Sequence, residues 1–504
     1  MIVMLNLSKI NFLSSSKTDK RSVKNMDRVL FFIKKFIPPK IFSFFQPAYH
    51  FGLGFLASWR YGFPSNKLLV VGVTGTTGKT TAVYLIAKML QNGGFKVGWT
   101  STALLSDGKK EWLNDKKMTM LGRFFTQKML REMVKNGCEV AIVETTSEGI
   151  KQFRHRFINY DVAVFTGIYP EHIESHGNFE NYKNEKLKLF KHLERSKRKK
   201  FFGRKKELKK IFSGKKTIIV NGDDKYAEEF LNFSVEEKIK FVKNDRRENK
   251  IETVRSKTAN TAKSREENLK IVKYEFLETN ETGIKFLFEN CPIQLKIWGD
   301  FNATNATIAG CIGRVLGFSN EKIADCLGNI DGVPGRLEKI DVGQNFTVIV
   351  DYAFEPKALK KMYEIILPIK HRKIIHILGS AGGGRDVSRR QPLGKIAGEN
   401  ADIVIVSNED PYDDDPMEII HDVAEGAKSA GKIIGQNLFL IEDRKEAIRK
   451  ALDLAKENDL VLITGKGCEQ AICLENGKKQ KWDDRVVTRE LLEKRKQKTN
   501  LKNG

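Results

Sequence analysis

Short apolar runs rich in Leu, Val and Ile alternate with stretches of helical spacing along most of the chain. LLVVGVTG (68–75) predicts a buried strand, and TTAVYLIAKMLQNGG (80–94) predicts a helix that ends at its glycines. VKNGCEVAIVETTS (134–147) and NYDVAVFTGI (159–168) also contain apolar strands that end in polar residues. Such strands are typical of a mostly parallel sheet covered by helices on both faces. The pattern therefore predicts an α/β fold.

The pattern changes in the middle of the chain and then returns. YEFLETNETGIKFLFENCPIQLKIWG (274–299) alternates around turn residues, which predicts a small antiparallel sheet, either a hairpin or a meander. After GVPG (332–335) the apolar strands resume and predict a Rossmann-like domain, with GVPG as its hinge. The predicted units are an N-terminal segment (1–65), a central α/β domain (66–333) and the C-terminal Rossmann-like domain (334–504).

The composition is that of a globular protein with more than one domain. The chain has 504 residues, of which 40% are hydrophobic and 30% are charged. A single core stops growing at roughly 250–300 residues. The six cysteines include no CxxC pair, which argues against a disulfide framework and a zinc site and favours the reducing cytoplasm.

The net charge of +25 is unevenly distributed. Residues 191–216 contain thirteen Lys and Arg but only two Glu. Such a segment either binds nucleic acid or an anionic membrane surface, or is a solvated insertion without a partner. No nucleic-acid-binding module accompanies it, so we expect no specific nucleic-acid partner.

Residues 28–63 are rich in Phe and interleaved with Lys and Arg. Pro38, Pro39, Pro47 and the charges leave no uninterrupted apolar run of ~20 residues, so no spanning helix is predicted. No short apolar core precedes a small-residue cleavage site, which argues against a signal peptide. The segment is then an amphipathic element that either makes peripheral contact with a membrane or packs on the rest of the protein.

VVGVTGTTGKTT (70–81) joins the first predicted strand to the first predicted helix in the manner of a phosphate-binding loop. In this context backbone N–H groups and the helix N-terminus face phosphate oxygens, and Gly75 and Gly78 allow close approach. Lys79 supplies a mobile positive charge, and the hydroxyl of Thr80 is suited to Mg²⁺. The loop departs from GxxxxGK[ST], because Val73 stands where the first glycine should be.

Further motifs follow the loop in a fixed order. They are ETTSEGIKQFR (144–154), DVAVFTGIYPEHIESHGNFENYKNEKLKLF (161–190), VNGDD (220–224), WGDFNATN (298–305), GVPGRLE (332–338), VDYAFEP (350–356), GRDVSRR (384–390), SNEDPYDDDP (407–416), GKGCEQ (465–470) and WDDR (482–485). With these motifs the chain resembles the Mur ligases, ATP-dependent enzymes that join an amino acid to a carboxylate in peptidoglycan precursor synthesis. Residues 75–80 match their shorter loop, GTxGKT. The resemblance is greatest to the branch that adds the third residue to UDP-N-acetylmuramoyl-dipeptide.

The resemblance implies a site for ATP and Mg²⁺. The implied catalytic residues are Lys79, Glu144, His172 and Lys186. The implied ATP-binding residues are Gly75, Thr76, Thr77, Gly78, Lys79, Thr80, Asn302, Asn305, Arg336 and Asp351. The implied metal-binding residues are Thr80, Glu144, His172 and Lys186, the lysine as a carbamate formed with CO₂.

The resemblance also implies two further substrates, a muramoyl-peptide acceptor and a free amino acid. The implied substrate-binding residues are Thr119, Ser147 and Arg154 for the acceptor, and Arg389, Glu409, Asp410, Gly465 and Glu469 in the second domain. We expect a cytoplasmic enzyme that acts as a monomer.

Two features depart from that branch of the family. A UDP-recognising domain normally precedes the loop, but only 71 residues precede Gly72, so we expect that domain to be missing and the acceptor to be either UDP-linked or lipid-linked. Members that use diaminopimelate carry DNPR, whose Arg can hold the distal carboxylate, but Tyr412 takes that position here. The three acids 413–415 either favour a cationic side chain such as that of lysine or form a solvated loop.

The resulting hypothesis is an ADP-forming ligase that adds an amino acid to a muramoyl-peptide carboxylate through an acyl phosphate. A folylpolyglutamate or cyanophycin-type ligase is an alternative, which the matches at ENYKNEK and SNEDP disfavour. A P-loop ATPase or switch is a second alternative and predicts hydrolysis of ATP that no amino acid affects. A third is a basic RNA- or membrane-binding protein on a relic ligase fold.

Overall fold

The structure is a computed structural model that describes most of the chain: residues 39–114, 118–170, 176–199, 214–244, 268–280, 282–384 and 387–503. His172, residues 28–38 and residues 200–213 of the basic segment lie outside these ranges.

Strands and helices alternate through the described chain. The strands are β1 (Leu69–Thr74), β2 (Val97–Thr100), β3 (Leu104–Ser106), β4 (Glu111–Leu113), β5 (Val140–Glu144), β6 (Val162–Phe165), β7 (Thr217–Asn221), β8 (Glu237–Lys243), β9 (Leu269–Asn280), β10 (Gly283–Phe288), β11 (Cys291–Leu295), β12 (Glu338–Lys339), β13 (Thr347–Val350), β14 (Ile374–Leu378), β15 (Ile403–Ser407), β16 (Leu438–Ile441), β17 (Leu460–Ile463), β18 (Ala471–Cys473) and β19 (Lys479–Lys481). The helices are α1 (Pro39–Arg60), α2 (Lys79–Asn92), α3 (Arg123–Lys135), α4 (Ser147–Lys151), α5 (Phe179–Arg195), α6 (Ala227–Leu231), α7 (Phe301–Val315), α8 (Asn320–Gly328), α9 (Pro356–Ile366), α10 (Arg390–Asn400), α11 (Pro416–Ser429), α12 (Arg444–Leu454) and α13 (Asp484–Asn503).

The first large sheet has eleven strands among the described residues, in the order β11-β10-β9-β8-β7-β6-β1-β5-β2-β3-β4. The strands from β9 to β2 pair in parallel, and antiparallel strands complete both edges. The predicted antiparallel element is present as β9–β11 and continues the edge of this sheet. In the register Val73 pairs with Glu144, so the carboxyl ends of β1 and β5 lie side by side.

Apolar clusters cover both faces of this sheet, as a parallel sheet requires. Val71 and Val73 belong to the cluster that includes α2 and α7, and Val70 belongs to the cluster that includes α3 and α5. Successive strand residues therefore point to opposite layers. The α/β fold with a mostly parallel sheet is confirmed.

The second sheet has the order β12-β13-β17-β14-β15-β16 and is parallel except at β12. Apolar clusters with α9–α11 on one face and α12–α13 on the other bury it. The strands β18 and β19 form a separate antiparallel pair. The second sheet confirms the predicted Rossmann-like C-terminal unit.

Helix α1 precedes the first strand and packs on the central unit through small residues. Gly54, Ala57 and Ser58 are buried, and Ser58 Oγ donates to the backbone oxygen of Phe157 at 3.3 Å. The helix ends at Arg60, and Gly62 just beyond it has a positive φ of 70°, the left-handed conformation common after helix C-termini. None of the described helices combines the length and the apolar character needed to cross a membrane.

Candidate active site

The phosphate loop joins β1 to the N-terminus of α2, as the sequence predicts. Gly75 has φ +151° and Gly78 has φ +79°. A Cβ atom on Gly75 would lie 2.0 Å from Thr166 Oγ1, so only glycine fits there. Lys79 Nζ donates to the backbone oxygen of Thr76 at 2.7 Å, so the lysine folds back over the loop. The backbone N–H groups at the start of α2 form the kind of N-terminus that binds phosphate.

Thr80 and Glu144 meet directly beyond this loop. Thr80 Oγ1 lies 3.0 Å and 3.1 Å from the two carboxylate oxygens of Glu144, to which it donates. Thr102 donates to the same carboxylate through its backbone N, at 2.8 Å, and through Oγ1, at 3.0 Å. Thr102 Oγ1 also lies 2.9 Å from Thr119 Oγ1. The structure thus brings together Thr80, Glu144 and Thr119, three residues that the sequence singled out.

These groups fit a magnesium ion. The Glu144 side chain is buried, and its hydrogen-bond partners are hydroxyl and amide groups, with no Lys, Arg or His bonded to it in the described part of the chain. A buried carboxylate without a cationic partner is costly, and a bound cation compensates it. Hydroxyl and carboxylate oxygens are the hard donors that Mg²⁺ prefers.

Lys186 reaches the phosphate loop from α5. The residue is 1% exposed, and its Nζ donates to the backbone oxygen of Gly75 at 2.7 Å. The Nζ also lies 4.4 Å from the ring centroid of Tyr182, whose hydroxyl is 3.1 Å from Thr76 Oγ1. Lys186 is therefore beside the site, as expected, and its carbamylation stays a prediction. His172 lies outside the described residues, so its role also stays a prediction.

The two asparagines of α7 lie against the loop. A Cβ atom on Gly78 would lie 2.5 Å from Asn305 Oδ1. Asn305 Nδ2 donates to Asn302 Oδ1 at 2.9 Å, and Asn302 Nδ2 donates to the backbone oxygen of Trp298 at 2.7 Å. The chain of amides starts at the phosphate loop and leads toward the second unit, because Trp298 packs on its apolar cluster.

Arg336 and Asp351 lie together where the two units join. The Arg336 guanidinium stacks 4.5 Å from the ring centroid of Tyr352. Asp351 accepts from the backbone N of Leu337 and of Ala353, each at 2.7 Å, and burial raises the pKa of its carboxyl. Arg336 lines a cavity of about 660 Å³ between the two units. That cavity runs along the side of α2 and does not include the phosphate loop.

The residues implied for acceptor binding form a surface next to Glu144. Ser147 begins α4, and its Oγ lies 3.1 Å from Nε2 of His176. Arg154 donates to the backbone oxygen of Met120, the residue after Thr119. Arg123 is a residue that the sequence did not single out, and it donates to the backbone oxygen of Gln152, whose side chain accepts from Arg154.

In the second unit the polar ends of β15 and β17 form a buried cluster. Lys466 Nζ donates to Asp410 Oδ1 at 2.9 Å and also to Glu469. Glu409 is buried, which raises the pKa of its carboxyl to about 7. A Cβ atom on Gly465 would lie 2.6 Å from Glu409 Oε2, so glycine is required beside this carboxylate.

Three polar atoms around this cluster are buried without a hydrogen-bond partner in the described residues: Ser380 Oγ, Arg389 Nε and Glu409 Oε2. Arg389 also donates through Nη1 to Glu355 at 2.8 Å. Buried polar groups are almost always hydrogen-bonded. A donor and an acceptor that both lack a partner here therefore indicate a place for a polar ligand.

The candidate metal site around Glu144 and the polar cluster of the second unit are adjacent. Cys468 follows Lys466 in the loop after β17 and packs against Ala103 and Leu104. Ala103 directly follows Thr102, which holds Glu144. The cluster of the second unit therefore contacts the loop that braces the candidate metal site.

Known proteins are similar to this chain along most of its length. Residues 73–313 match the family domain described as Mur ligase middle domain, and residues 335–467 match Mur ligase, glutamate ligase domain. The chain is 33% identical over 445 residues to UDP-N-acetylmuramyl-tripeptide synthetase of Roseiflexus sp. strain RS-1, covering 87% of this chain and 81% of the relative. The chain belongs to the Mur ligase family. Mur ligases are ATP-dependent, ADP-forming ligases.

Two further comparisons place this Mur ligase among its relatives. It is 30% identical over 440 residues to the UDP-N-acetylmuramoyl-L-alanyl-D-glutamate–2,6-diaminopimelate ligase of Halalkalibacterium halodurans, covering 87% of this chain and 81% of the relative. Its fold is also similar to that of folylpolyglutamate synthase from Mycobacterium tuberculosis, with a TM-score of 0.56 at 15% identity over 82% of this chain and 91% of the other. The second likeness concerns the fold alone.

Sequence reasoning missed residues of this Mur ligase that position the site without a motif of their own. Arg444 and Asp484 form a fully buried ion pair, with Nε 2.8 Å from Oδ1. Arg444 also donates to the backbone oxygens of Asn408 and Thr464, which precede Glu409 and Gly465. The pair therefore holds both loops of the second cluster. The WDDR motif contains Asp484, but nothing in the sequence identifies Arg444 as its partner.

Proposed function

We propose that this Mur ligase adds an amino acid to a carboxylate of a muramoyl-peptide acceptor in peptidoglycan synthesis. The observation that carries the proposal is the buried carboxylate of Glu144, which has no cationic partner among the residues that the structure describes and contacts Thr80 at the end of the phosphate loop. The names of the relatives support the same reaction class, since one is a tripeptide synthetase and another a diaminopimelate ligase.

ATP supplies the phosphoryl group that converts the acceptor carboxylate into an acyl phosphate and leaves ADP. The amine then attacks the acyl carbon, forms the amide bond and expels inorganic phosphate. The backbone N–H groups of residues 75–80 and Lys79 hold the phosphates, and Thr80 and Glu144 hold Mg²⁺. Lys79 is 2.7 Å from the Thr76 oxygen, so it exchanges this bond for phosphate when ATP binds. Asn302 and Asn305 lie near the base or ribose. Arg336 and Asp351 come from the hinge and the second unit, and Arg336 contacts the phosphates from across the cleft.

Lys186 carries a carbamate in this proposal. Its neutral amine attacks CO₂ and loses a proton, which leaves an anion that orients a second Mg²⁺ together with His172. The burial of Lys186 and its contact with Gly75 support this role. We expect Lys186→Ala to abolish ligation and short carboxylic acids to restore part of it, because they return a carboxylate to the vacated space. Lys188→Ala is the matched control, since Lys188 lies on the same helix in an exposed pair with Glu185.

The amino acid binds at the cluster of the second unit. The Arg389 guanidinium takes its carboxylate and Glu409 takes its ammonium group, which satisfies the unpartnered Arg389 Nε and Glu409 Oε2. Asp410, Gly465 and Glu469 shape this pocket with Lys466. Tyr412 stands where diaminopimelate-specific enzymes have arginine, so the side chain of the amino acid is to be found by experiment.

The acceptor binds at Thr119, Ser147 and Arg154. These residues lie on the same side of Glu144 as α4. The enzyme acts as a monomer in the cytoplasm with peripheral membrane contact through residues 28–63, and its catalytic domains span 66–333 and 334–504.

The test is a panel of amino acids assayed for ATP-dependent phosphate release, with UDP-muramoyl-dipeptide and its lipid-linked form as separate acceptors. We expect release to need both an acceptor and one class of amino acid, with a product heavier by that residue. Phosphate release that proceeds equally without either substrate would instead indicate a P-loop ATPase.

A further inference from the structure

Helix α1 presents a large apolar face to solvent. Phe51, Phe55, Leu56 and Trp59 are 45%, 49%, 46% and 63% exposed, and Tyr49 is 36% exposed. Five of the fourteen exposed large apolar side chains of the described residues therefore lie on this one helix. At 100° per residue these five positions fall on the side of the helix opposite the buried Gly54, Ala57 and Ser58. Burying this face would be favourable, but no described part of the fold covers it.

The sequence that contains α1 carries only positive charge. Residues 28–67 contain six Lys and Arg and no Asp or Glu, and the first acid after Asp27 is Asp107. Arg60, at the end of α1, is exposed beside Trp59. Aromatic side chains flanked by basic residues are the combination that binds at the boundary of anionic lipid headgroups and acyl chains.

The helix lies next to two arginines of the acceptor surface. Phe51 and Phe55 pack on Phe157, with ring centroids 4.9 Å and 5.6 Å apart, and Phe157 follows Arg154 by three residues. Tyr49 is close enough to Arg123 to affect its pKa, which burial lowers to about 10 with a further contribution from Arg154.

No described carboxylate pairs with either arginine. In the described part of the chain no carboxylate forms an ion pair with Arg123 or Arg154, and Arg123 Nε is buried without a hydrogen-bond partner. Glu148 lies nearby and raises the pKa of Arg154, but burial outweighs it and the pKa is lowered. Two adjacent guanidinium groups that form no ion pair with a described carboxylate favour an anion with several oxygens, such as a diphosphate.

We propose that α1 docks this ligase on an anionic bilayer through Tyr49, Phe51, Phe55, Leu56 and Trp59, and that Arg123, beside the acceptor residue Arg154, is a further ligand for the diphosphate of a lipid-linked acceptor presented there. The acceptor part of this inference rests on the proposed ligase function. The docking part does not, because binding to lipid needs no turnover.

Flotation of the full chain with vesicles tests the docking. We expect it to float with vesicles that contain phosphatidylglycerol, less with pure phosphatidylcholine, and less as salt rises. The double variant Phe55→Ser, Trp59→Ser should bind at least about tenfold more weakly, because two aromatic side chains no longer enter the lipid. The matched control is Ile433→Ser, Ile434→Ser, which removes side chains that are 52% and 54% exposed in the other unit and should float like the wild type.

Three results would overturn the docking: a wild-type chain that stays out of the floating fraction, a double variant that floats as well as the wild type, or a control that loses binding equally. If residues 1–38 cover the face instead, the wild type will not float and the double variant will unfold at lower urea. Circular dichroism of each variant separates loss of docking from loss of fold.

Turnover in the presence of the same vesicles tests the acceptor. We expect the double variant to lose at least about tenfold in kcat/KM with the lipid-linked acceptor while a water-soluble acceptor is unaffected. Arg123→Gln should raise KM for diphosphate-containing acceptors with little change in kcat, and an unchanged KM would contradict its role. If the wild type uses neither acceptor, the proposed function fails, while flotation still decides the docking.

Discussion

At the residue scale, the central feature is the carboxylate of Glu144. Thr80 and Thr102 surround it with hydroxyl and amide donors, and a neutral amide would keep this packing while it removes the charge. We expect Glu144→Gln to fold normally and to lower kcat by about a hundredfold or more, because the metal loses its anionic ligand. ADP formation measured against Mg²⁺ concentration checks this. A variant with wild-type activity and unchanged Mg²⁺ dependence would remove Glu144 from the metal site.

The second prediction at this scale concerns Glu409, whose pKa burial raises to about 7. Below that pH the folded protein holds the carboxyl neutral, and above it the carboxylate attracts the ammonium group of the amino acid. We expect kcat/KM for the amino acid to rise between about pH 6 and about pH 8, and Glu409→Gln to be lower and to lose this rise. A wild-type profile that is flat across this range would contradict the assignment.

The Glu409 carboxyl also affects the free energy of unfolding, and this effect changes with pH in the opposite direction to activity. Because its pKa is raised above the unfolded value, the folded state binds more protons than the unfolded state between about pH 4.5 and about pH 7. The contribution of Glu409 to the free energy of unfolding is therefore full below that window and is lost as pH rises through it. Site and stability thus respond in opposite ways to one carboxyl, as is common for functional groups held in strained environments.

At the scale of elements, the ion pair of Arg444 on α12 with Asp484 on α13 holds the loops after β15 and β17. We expect Arg444→Met to lower the free energy of unfolding by about 3–5 kcal/mol, because Asp484 stays buried without its partner. Arg449→Met, on the same helix, should cost under about 1 kcal/mol, since its pair with Glu446 is exposed. Urea unfolding followed by circular dichroism measures both, and equal midpoints for the two variants would contradict the role of the pair.

Elements of this chain differ in how far the sequence predicts them. The helix predicted for residues 80–94 is α2 (Lys79–Asn92), because a strand, a glycine loop and an apolar helix are local signals. Arg444 could not be predicted as the partner of Asp484, since forty residues of chain separate them and no periodicity links them. Thr102 was missed for a related reason: it lies in a loop whose position depends on the pairing of β2 with β5.

At the scale of the whole molecule, the two units meet around the candidate site. Lys357 Nζ lies 4.0 Å from the ring centroid of Tyr169, and Cys468 packs on the loop that braces Glu144. The family motifs predicted that both units contribute residues, but the contacts between them depend on tertiary packing that no motif encodes. An amine held at Glu409 must reach a carboxylate activated beside Glu144, so catalysis depends on this junction.

The most direct test of the account follows oxygen from the acceptor. If the acceptor carboxylate is labelled with ¹⁸O at both oxygens, the acyl phosphate carries one labelled oxygen between carbon and phosphorus, and the amine expels it with the phosphate. The account predicts one ¹⁸O atom in each phosphate released, formed in equal amount with the new amide. Phosphate without the label, released whether or not an amide forms, would contradict it.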